Sequence, residues 1–277
     1  MKALWILAQK EVRDGLRNRW VAVSILLLTA LSLAMYFLGS AATGSTKVDS
    51  LAITLVNLVS LSVYLLPLIA LMLSFDALVG EFERGTMLLL AAYPIARWQI
   101  VAGKFLGHML ILLLAILISY GGTVLIITLT SDDVTQNWIA YGLMMASSWL
   151  LGGVFVGLGY FISAIVRERA TAVGAAVGLW LVLVVLYDLA LLGALLADAE
   201  QAISEQVLTT LLMLNPTDAY RVFNLTSTEG ISQAVGLADI AANSGIASGV
   251  PLPLLVLGAW VLAAMLATTW MFYRREL

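Results

Sequence analysis

Two places in this sequence carry charged side chains in surroundings that are otherwise almost entirely apolar. The segment GEFERGTMLLLAAYPIARWQIVAGK, residues 80–104, gathers acidic and basic residues around a Gly-Thr pair and a proline. Asp188 stands beside Tyr187 inside a long apolar run. Such charges can bind a proton or a cation, or they can dock another protein. Which use applies depends on the elements that position them.

The composition is that of a membrane protein. Of 277 residues, 62% are hydrophobic and 11% are charged, whereas soluble domains have roughly 25% charged residues. Six apolar runs reach the length of about 20 residues that a helix needs to cross a bilayer. Because the runs are continuous and do not alternate, we predict an all-α fold with six transmembrane helices in one domain, residues 1–277. The runs cover residues 21–40, 53–75, 106–129, 139–163, 171–196 and 252–272.

The sequence also excludes several functions. It has no cysteine, so disulfides, iron–sulfur ligation and thiol catalysis are ruled out within the chain. A net charge of −3 gives no strong positive field for nucleic acid. There is no Walker P-loop and no Gly-x-Ser-x-Gly elbow. We therefore expect neither an enzyme nor a cofactor bound by this chain.

Metal binding has little support in the sequence. The single histidine, His108, has no carboxylate or second histidine at ligand spacing, and we expect it to cap one end of the third span. The thioethers of Met144 and Met145 suit Cu(I), but adjacent helical residues point to different faces. Packing explains both methionines, and we predict no metal site.

The basic residues lie mainly on one side of the predicted spans. Twelve of the 14 fall in the N-terminal segment, in the loops after the second and fourth spans, and at the C-terminus. By the positive-inside rule, both termini then face the cytoplasm. The exported face holds only Lys47 and Arg221, together with the long acidic loop 197–251.

That loop is long enough to carry its own structure or a partner. Ile203, Val207, Leu211 and Leu214 recur at helical spacing before Asn215-Pro216, which predicts one amphipathic helix. The loop is either a cap packed on this chain or a docking surface for a partner on the exported side. Both interpretations remain open.

Residues 1–20 are predicted to form an amphipathic helix in the headgroup plane of the bilayer. An apolar stripe runs along this segment, and basic residues occupy its other faces. A simple extension of the first span is the alternative. The stripe consists of Trp5, Ala8, Val12, Leu16 and Trp20.

Asp188 also has two interpretations. A carboxylate inside the bilayer is costly, so Asp188 and Tyr187 are candidates for a transport pathway. If the fifth span begins near Glu168, however, Asp188 lies close to the outer interface and is partly hydrated. Glycine pairs with the spacing for close helix packing lie in the fourth and fifth spans, at Gly153 and Gly157 and at Gly174 and Gly178.

The segment 80–104 predicts a short, partly apolar helix parallel to the membrane surface. Glu81 and Glu83 near its start complement the helix dipole. Residues 86–92 supply about two apolar turns, and Pro94 limits any extension. A protruding apolar helix must bury its face against the membrane or against another protein.

A wider segment, FDALVGEFERGTMLLLAAYPIARWQIVAGKFLG, resembles the connection between the second and third spans of type-2 ABC exporter permeases. The shared pattern is an acid, a glutamate, Gly-Thr, an apolar stretch, a proline, an arginine and Gly-Lys. The N-terminal helix, the six spans and the segment LNPTDAYRVF extend the resemblance over essentially the whole chain. The sizeable acidic loop 197–251 departs from many exporters. The matching residues are Asp76, Glu81, Gly85, Thr86, Leu88, Leu89, Leu90, Pro94, Arg97, Gly103 and Lys104.

The resemblance implies a permease of the bacterial cytoplasmic membrane that works as a homodimer. ATP and Mg would be bound by a separate cytoplasmic ATPase, and loop 197–251 would face a periplasmic accessory protein. Region 76–104 would hold the coupling helix that sits in a cleft of the ATPase. Its coupling residues would be Asp76, Glu81, Phe82, Glu83, Arg84, Gly85, Thr86, Pro94 and Arg97.

The cargo stays open at this level. A small molecule or a conformational signal would be passed across the membrane by such a permease. An ion-coupled secondary transporter that uses Asp188 is the alternative from another class, although the chain shows no internal repeat of the kind such folds have. A purely structural scaffold is a third possibility.

Overall fold

The computed structural model describes residues 2–42, 50–130, 138–197, 204–226 and 251–275. Within these ranges the chain is helical and contains no strand, which confirms the all-α prediction. The α-helices are α1 (Lys2–Leu16), α2 (Arg19–Ala42), α3 (Ser50–Ser74), α4 (Val79–Glu83), α5 (Thr86–Ala91), α6 (Arg97–Thr130), α7 (Trp138–Ile165), α8 (Arg169–Trp180), α9 (Tyr187–Ala197), α10 (Glu205–Leu214), α11 (Pro216–Thr226) and α12 (Leu252–Arg274).

Six segments are long and apolar enough to cross a membrane, as predicted. The third begins at Arg97, well before the apolar run at residue 106. The helix continues through this polar stretch because Lys104 and His108 are buried against other helices, so the end of the apolar run does not end the helix. The six spans are Arg19–Leu38, Thr54–Glu83, Arg97–Thr130, Trp138–Ile165, Arg169–Ala197 and Leu252–Arg274.

Helix α7 lies at the centre of the bundle, against α3, α6 and α12. Two glycines let it approach its neighbours closely. A Cβ atom at Gly157 would lie 3.0 Å from the Cβ of Ala264 on α12, and one at Gly153 would lie 3.0 Å from Met109 on α6. The glycine pair of the fifth span does not allow such a contact within this chain. A Cβ atom at Gly174 or at Gly178 would meet nothing within 4 Å.

Hydroxyl groups join α2 to α6 inside the bundle. Thr29 and Ser119 share a hydrogen bond of 2.9 Å, and Ser32 and Thr123 share one of 2.8 Å. Hydrogen bonds of this kind satisfy polar groups where no water is present, and they fix the register of neighbouring spans.

Helix α1 is separate from the first span. The backbone leaves the helix after Leu16, and the Asn18 side chain accepts a hydrogen bond of 2.9 Å from the backbone N–H of Trp20 at the start of α2. The face that packs on α6 contains Leu7, Ala8, Glu11 and Gly15. Most of the apolar stripe predicted from the sequence is not this face, since Trp5 and Leu16 are exposed. A headgroup-plane position for α1 stays a prediction.

The helix predicted in loop 197–251 is present as α10. Ser204 caps its first turn and Asn215 ends it, while Ile203 falls outside the described residues. Helix α11 was not predicted; it follows α10 directly and is buried against α3, α7 and α12. Its side chains bond to α7 through Tyr220 and Ser148. Residues 204–226 thus form a cap packed on the bundle, and residues 227–250 are outside the described part.

A π-helical turn, Leu181–Leu186, separates α8 from α9 in the fifth span. Such turns leave backbone carbonyl groups without their usual partners, and they recur at functional sites. Here the Asn215 amide donates a hydrogen bond of 2.7 Å to the Leu183 carbonyl. The cap formed by α10 and α11 is therefore joined to the irregular turn just before Asp188.

Candidate coupling site

Helices α4 and α5 connect the second and third spans. Between them Gly85 has a left-handed backbone with φ of 70°, which a glycine adopts without strain. The apolar helix predicted over residues 86–92 is found at Thr86–Ala91, followed by Pro94. The connection lies at the end of the bundle that carries both chain termini, called the terminal end below.

One face of α5 is exposed although its side chains are apolar. Met87 is buried beneath it at 1% exposure, whereas Leu88 and Leu89 are 61% and 67% exposed. Tyr93, just after the helix, is equally open. The helix is therefore anchored to the bundle on one side and presents apolar surface on the other.

A buried lysine holds α4 against α1 and α6. The Lys104 ammonium nitrogen lies 2.7 Å from Glu11 Oε1 and 2.7 Å from Glu81 Oε1. We call Glu11, Glu81 and Lys104 the Lys104 cluster. The Lys104 side chain is only 3% exposed, and Lys10 lies 3.7 Å from Glu81 at the edge of the cluster. Three elements distant in sequence thus share one buried cation.

The cluster is held by opposite charges that compensate for their burial. Burial alone would raise the pKa of the Glu11 carboxyl, but the Lys104 ammonium, with smaller effects of His108 and Lys10, holds that pKa below its ordinary value. Glu81 Oε2 is buried and has no hydrogen-bond partner. In a medium of low polarity, removing one member of such a group leaves an uncompensated charge.

His108 joins the edge of this cluster and does not cap the third span as expected. Because α6 begins at Arg97, His108 lies inside the helix, where its Nδ1 shares a hydrogen bond of 2.7 Å with the Tyr160 hydroxyl. Its Nε2 lies 3.9 Å from Glu11 Oε2. In the described part of the chain, no group of three His, Cys, Asp or Glu residues is placed to hold a metal ion.

Two further acids join the α4 region to the fifth span. Asp76 Oδ2 accepts a hydrogen bond of 2.6 Å from the Arg169 guanidinium, and Glu83 Oε1 accepts one of 2.7 Å from the Arg169 backbone N–H. Arg169 is the first residue of α8. Ser163 on α7 completes the connection, because its hydroxyl accepts hydrogen bonds from the backbone N–H groups of Leu78 and Val79.

Arg97 fastens the other side of the connection to the last helix. Its guanidinium donates hydrogen bonds of 2.9 to 3.0 Å to the carbonyls of Phe272, Tyr273 and Arg275, at the C-terminus of α12. Arg275 in turn lies 4.0 Å over the ring of Phe82. Arg97 was expected as a coupling residue, which stays a prediction, and the structure shows it capping a helix end.

The residues predicted from the sequence therefore separate into two groups. Asp76, Glu81, Phe82 and Arg97 contact other helices of this chain, while Arg84 is exposed. Whether any of them touches an ATPase stays a prediction. Sequence reasoning missed the partners of these residues, which are Glu11, Ser163, Arg169 and Arg275. Only Glu11 had a signal, because an acid occurs at helical spacing from the apolar residues of α1.

A second charged group lies at the opposite end of the bundle. Arg221 on α11 donates hydrogen bonds of 2.8 Å to Asp188 and 2.9 Å to Asp218. Tyr187 donates one of 2.7 Å to the Leu211 carbonyl. Asp188 is thus ion-paired, with its side chain 24% exposed. A role in transport is untested.

Asp218 is the more buried of the two carboxyl groups that bind Arg221. It is 1% exposed, and its Oδ2 has no hydrogen-bond partner. Burial, reinforced by the nearby Asp188 carboxylate and opposed by Arg221, raises the pKa of Asp218 to about 7. The folded chain therefore binds this proton more tightly than an unfolded chain does.

Replacing Lys104 with methionine tests the Lys104 cluster. The change leaves Glu11 and Glu81 buried without their cation, so the folded state should lose about 3–5 kcal/mol. The measurement is the apparent Tm of detergent-solubilised protein. Lys10→Met is the matched control, because Lys10 contacts the same acids from a half-exposed position and should cost about 1 kcal/mol or less. Equal losses in the two variants would contradict a buried ion cluster.

The raised pKa of Asp218 predicts a pH dependence of stability. Because the folded state holds the extra proton, stability should fall as pH rises from about 4 to 7 and then level off. Asp218→Asn, which stays neutral, should remove this slope in Tm measurements across that range. Asp14→Asn, at an exposed carboxyl on α1, is the control and should leave it unchanged. A slope that persists in Asp218→Asn would assign it to another group.

A family model described as ABC-2 family transporter protein matches residues 5–277. A protein of Stutzerimonas stutzeri named probable ABC transporter permease protein NosY is 42% identical over 281 residues, which cover 99% of each chain. The protein of the same name from Pseudomonas aeruginosa is 42% identical over 279 residues and covers 100% of both chains. This chain therefore belongs to the ABC-2 family of ABC transporter permeases.

Proposed function

We propose that this chain passes the conformational change of a separate ATPase across the membrane, and that it does so through α4 and α5. The main observation in support is that α5 exposes an apolar face. The connection that contains α5 is held against the rest of the bundle by ion pairs and hydrogen bonds. Leu88, Leu89 and Tyr93 supply surface that a protein partner can bury, and Glu83 and Arg84 beside them can set its orientation. The buried Glu81 positions the connection and does not dock.

The connection can act as a lever because it is joined to several elements at once. The Lys104 cluster joins it to α1 and α6, Ser163 to α7, and Arg169 to α8. A displacement of α5 therefore cannot be absorbed within the loop. It must move spans, and ATP binding to the partner supplies the difference in affinity that drives the change.

The partners follow from the relatives named NosY. We propose a NosF-like cytoplasmic ATPase that binds ATP and Mg, and a NosD-like periplasmic protein that meets loop 197–251. Both termini would face the cytoplasm of the bacterial inner membrane, since the terminal end of the bundle carries most of the basic residues. The exposed Val207 and Leu214 of α10 are available to the periplasmic partner.

The proposed role is copper-site maturation of nitrous oxide reductase. The permease would export a small species, with a sulfur compound as one candidate, or would drive the periplasmic partner without moving a solute. Direct passage of copper has little support, because the chain has no cysteine and one histidine. Export of another small molecule is the alternative within the family. Ion-coupled transport through Asp188 is the alternative outside it, and the Arg221 ion pair counts against it, because the guanidinium already compensates the carboxylate.

We further propose that two copies form the permease. The fifth span, Arg169–Ala197, is the least buried of the six. Only 6% of its most apolar 18-residue stretch is buried inside the chain. Gly174 and Gly178 lie on its open side. A small-residue face of this kind allows close approach of a second helix in lipid.

Changing the exposed face of α5 tests the coupling proposal. Leu88→Glu with Leu89→Glu places two charges in the docking surface, and the co-purified NosF-like ATPase from the same genome should fall by about tenfold or more. Leu88→Met with Leu89→Met is the matched control and should retain it. The readouts are the amount of ATPase retained and its hydrolysis rate. Full retention by the glutamate variant would contradict docking at α5.

Enlarging the open glycine face tests the dimer. Gly178→Leu should weaken self-association in nanodiscs by blocking close helix approach, whereas Gly142→Leu, at an equally open glycine of α7, should not. Mass photometry of the two variants gives the dimer fraction. An unchanged dimer fraction in Gly178→Leu would place the interface elsewhere.

A further inference from the structure

The outer half of the fifth span is joined to the cap mainly by polar contacts. Helix α9 has no buried residue, so packing of apolar side chains contributes little to its attachment. Hydrogen bonds connect α9 and the π-helical turn to the cap formed by α10 and α11. They run from Asn215 to the Leu183 carbonyl, from Tyr187 to the Leu211 carbonyl and from Arg221 to Asp188. We call these contacts the outer latch.

The outer latch has one cation for two acids. The Arg221 guanidinium donates hydrogen bonds to both Asp188 and Asp218. The two carboxyl groups also lie within hydrogen-bonding reach of each other. An ionised carboxylate only accepts hydrogen bonds, so the two acids can bond to each other only when one of them carries a proton. The pair therefore has a place for one proton.

The inner acid of the pair has an oxygen without a donor. Asp218 is 1% exposed, and its Oδ2 has no hydrogen-bond partner. A buried acceptor of this kind is destabilising, above all when it is charged. A proton on the Asp218 carboxyl makes this group a donor and removes one of the two negative charges beside Arg221. The raised pKa of Asp218, about 7, agrees with this arrangement.

Besides Arg221, the titratable side chains that face the acid pair in the described part of the chain are tyrosines. Tyr187 of α9 lies near Asp218, and Tyr64 of α3 lies near Arg221. Tyrosine titrates at about pH 10 in water, so neither changes its charge near neutral pH. The other helices packed on α11 carry their titratable residues elsewhere, with Tyr141 of α7 facing Tyr220, Glu205 as the first residue of α10, and Tyr273 and Arg274 at the terminal end of α12.

We propose that Asp188 and Asp218 form a proton-binding site, and that its single proton closes the outer latch. With the proton bound, the two acids and Arg221 together carry no net charge, and the cap holds the fifth span. When the proton leaves to water, two carboxylates share one guanidinium, and their repulsion separates α9 from the cap.

The proton exchanges with solvent at the outer end of the bundle, because the Asp188 side chain is 24% exposed. The acidity of that compartment therefore decides whether the outer half of the fifth span is fixed or free. This is the span proposed to contact a second copy. The site binds a proton to regulate an attachment, and it does not require passage of the proton across the membrane.

Distances between spin labels in the permease alone test this site. Labels are placed at Leu192→Cys on α9 and Val207→Cys on α10, two exposed positions. Labelled chains are diluted with unlabelled ones in nanodiscs and measured from about pH 4 to 8. The ratio of separated to latched populations should rise about tenfold per pH unit up to about pH 7 and then level off, because the latched state holds the proton.

Substitution of either acid should remove this rise. Asp218→Asn should keep the latched distance at every pH, because the amide stays neutral and can donate a hydrogen bond. Asp188→Asn, at a partly exposed side chain, is a second variant in case Asp218→Asn does not fold, and it should flatten the rise because Asp218 then faces Arg221 without a second acid. Asp14→Asn at the terminal end is the control and should retain the rise.

A distance that stays the same across the pH range in the unchanged protein would overturn the proposal. So would a rise that persists in both Asp188→Asn and Asp218→Asn, which would assign the proton to another group. Because the ATPase is absent from these measurements, their outcome is independent of the coupling proposed for α5.

Discussion

The arrangement of the terminal end depends on one buried cation. Lys104 lies between Glu11 and Glu81, each 2.7 Å away, in surroundings from which water is nearly excluded. Its attraction for both carboxylates compensates for burying three charges, and it holds α1, α4 and α6 in a single arrangement. Lys104 supplies the direct ion pair between α4 and the third span. It thereby helps to hold the short apolar helix α5 as a fixed surface.

The other contacts at this end have the same effect through different chemistry. Ser163 satisfies backbone N–H groups at the start of α4, Arg169 binds two acids beside it, and Arg97 satisfies the carbonyls at the end of α12. Each contact uses a backbone or side-chain group that would otherwise be unpaired near the membrane. The connection between the second and third spans is therefore rigid for physical reasons that are independent of any partner.

Much of the fold follows from the sequence, and much of the site does not. Apolar length alone predicted six spans, because lipid requires each to be a helix of about 20 residues. Helix α11 was missed because Asp218 and Arg221 make it look like a polar loop, although Arg221 pairs with both Asp218 and Asp188 and so lets Asp218 be buried. The partner of Glu81 was missed for a related reason. The periodicity of apolar residues does not show which charged residue will pair with a distant helix. Lys104, which pairs with Glu11 and Glu81, is such a residue.

The most direct test of the account is whether a force on α5 reaches the opposite end of the bundle. The chain has no native cysteine, so spin labels can be placed at Leu129→Cys and Leu196→Cys, two exposed positions at the ends of α6 and α9. Labelled chains are diluted with unlabelled ones and reconstituted with the ATPase. The account predicts that ATP and Mg shift the distance between the labels by about 2 Å or more, and that Leu88→Glu with Leu89→Glu abolishes the shift. An unchanged distance between the labels while the bound ATPase hydrolyses ATP would contradict the proposal that movement of α5 is passed to the spans.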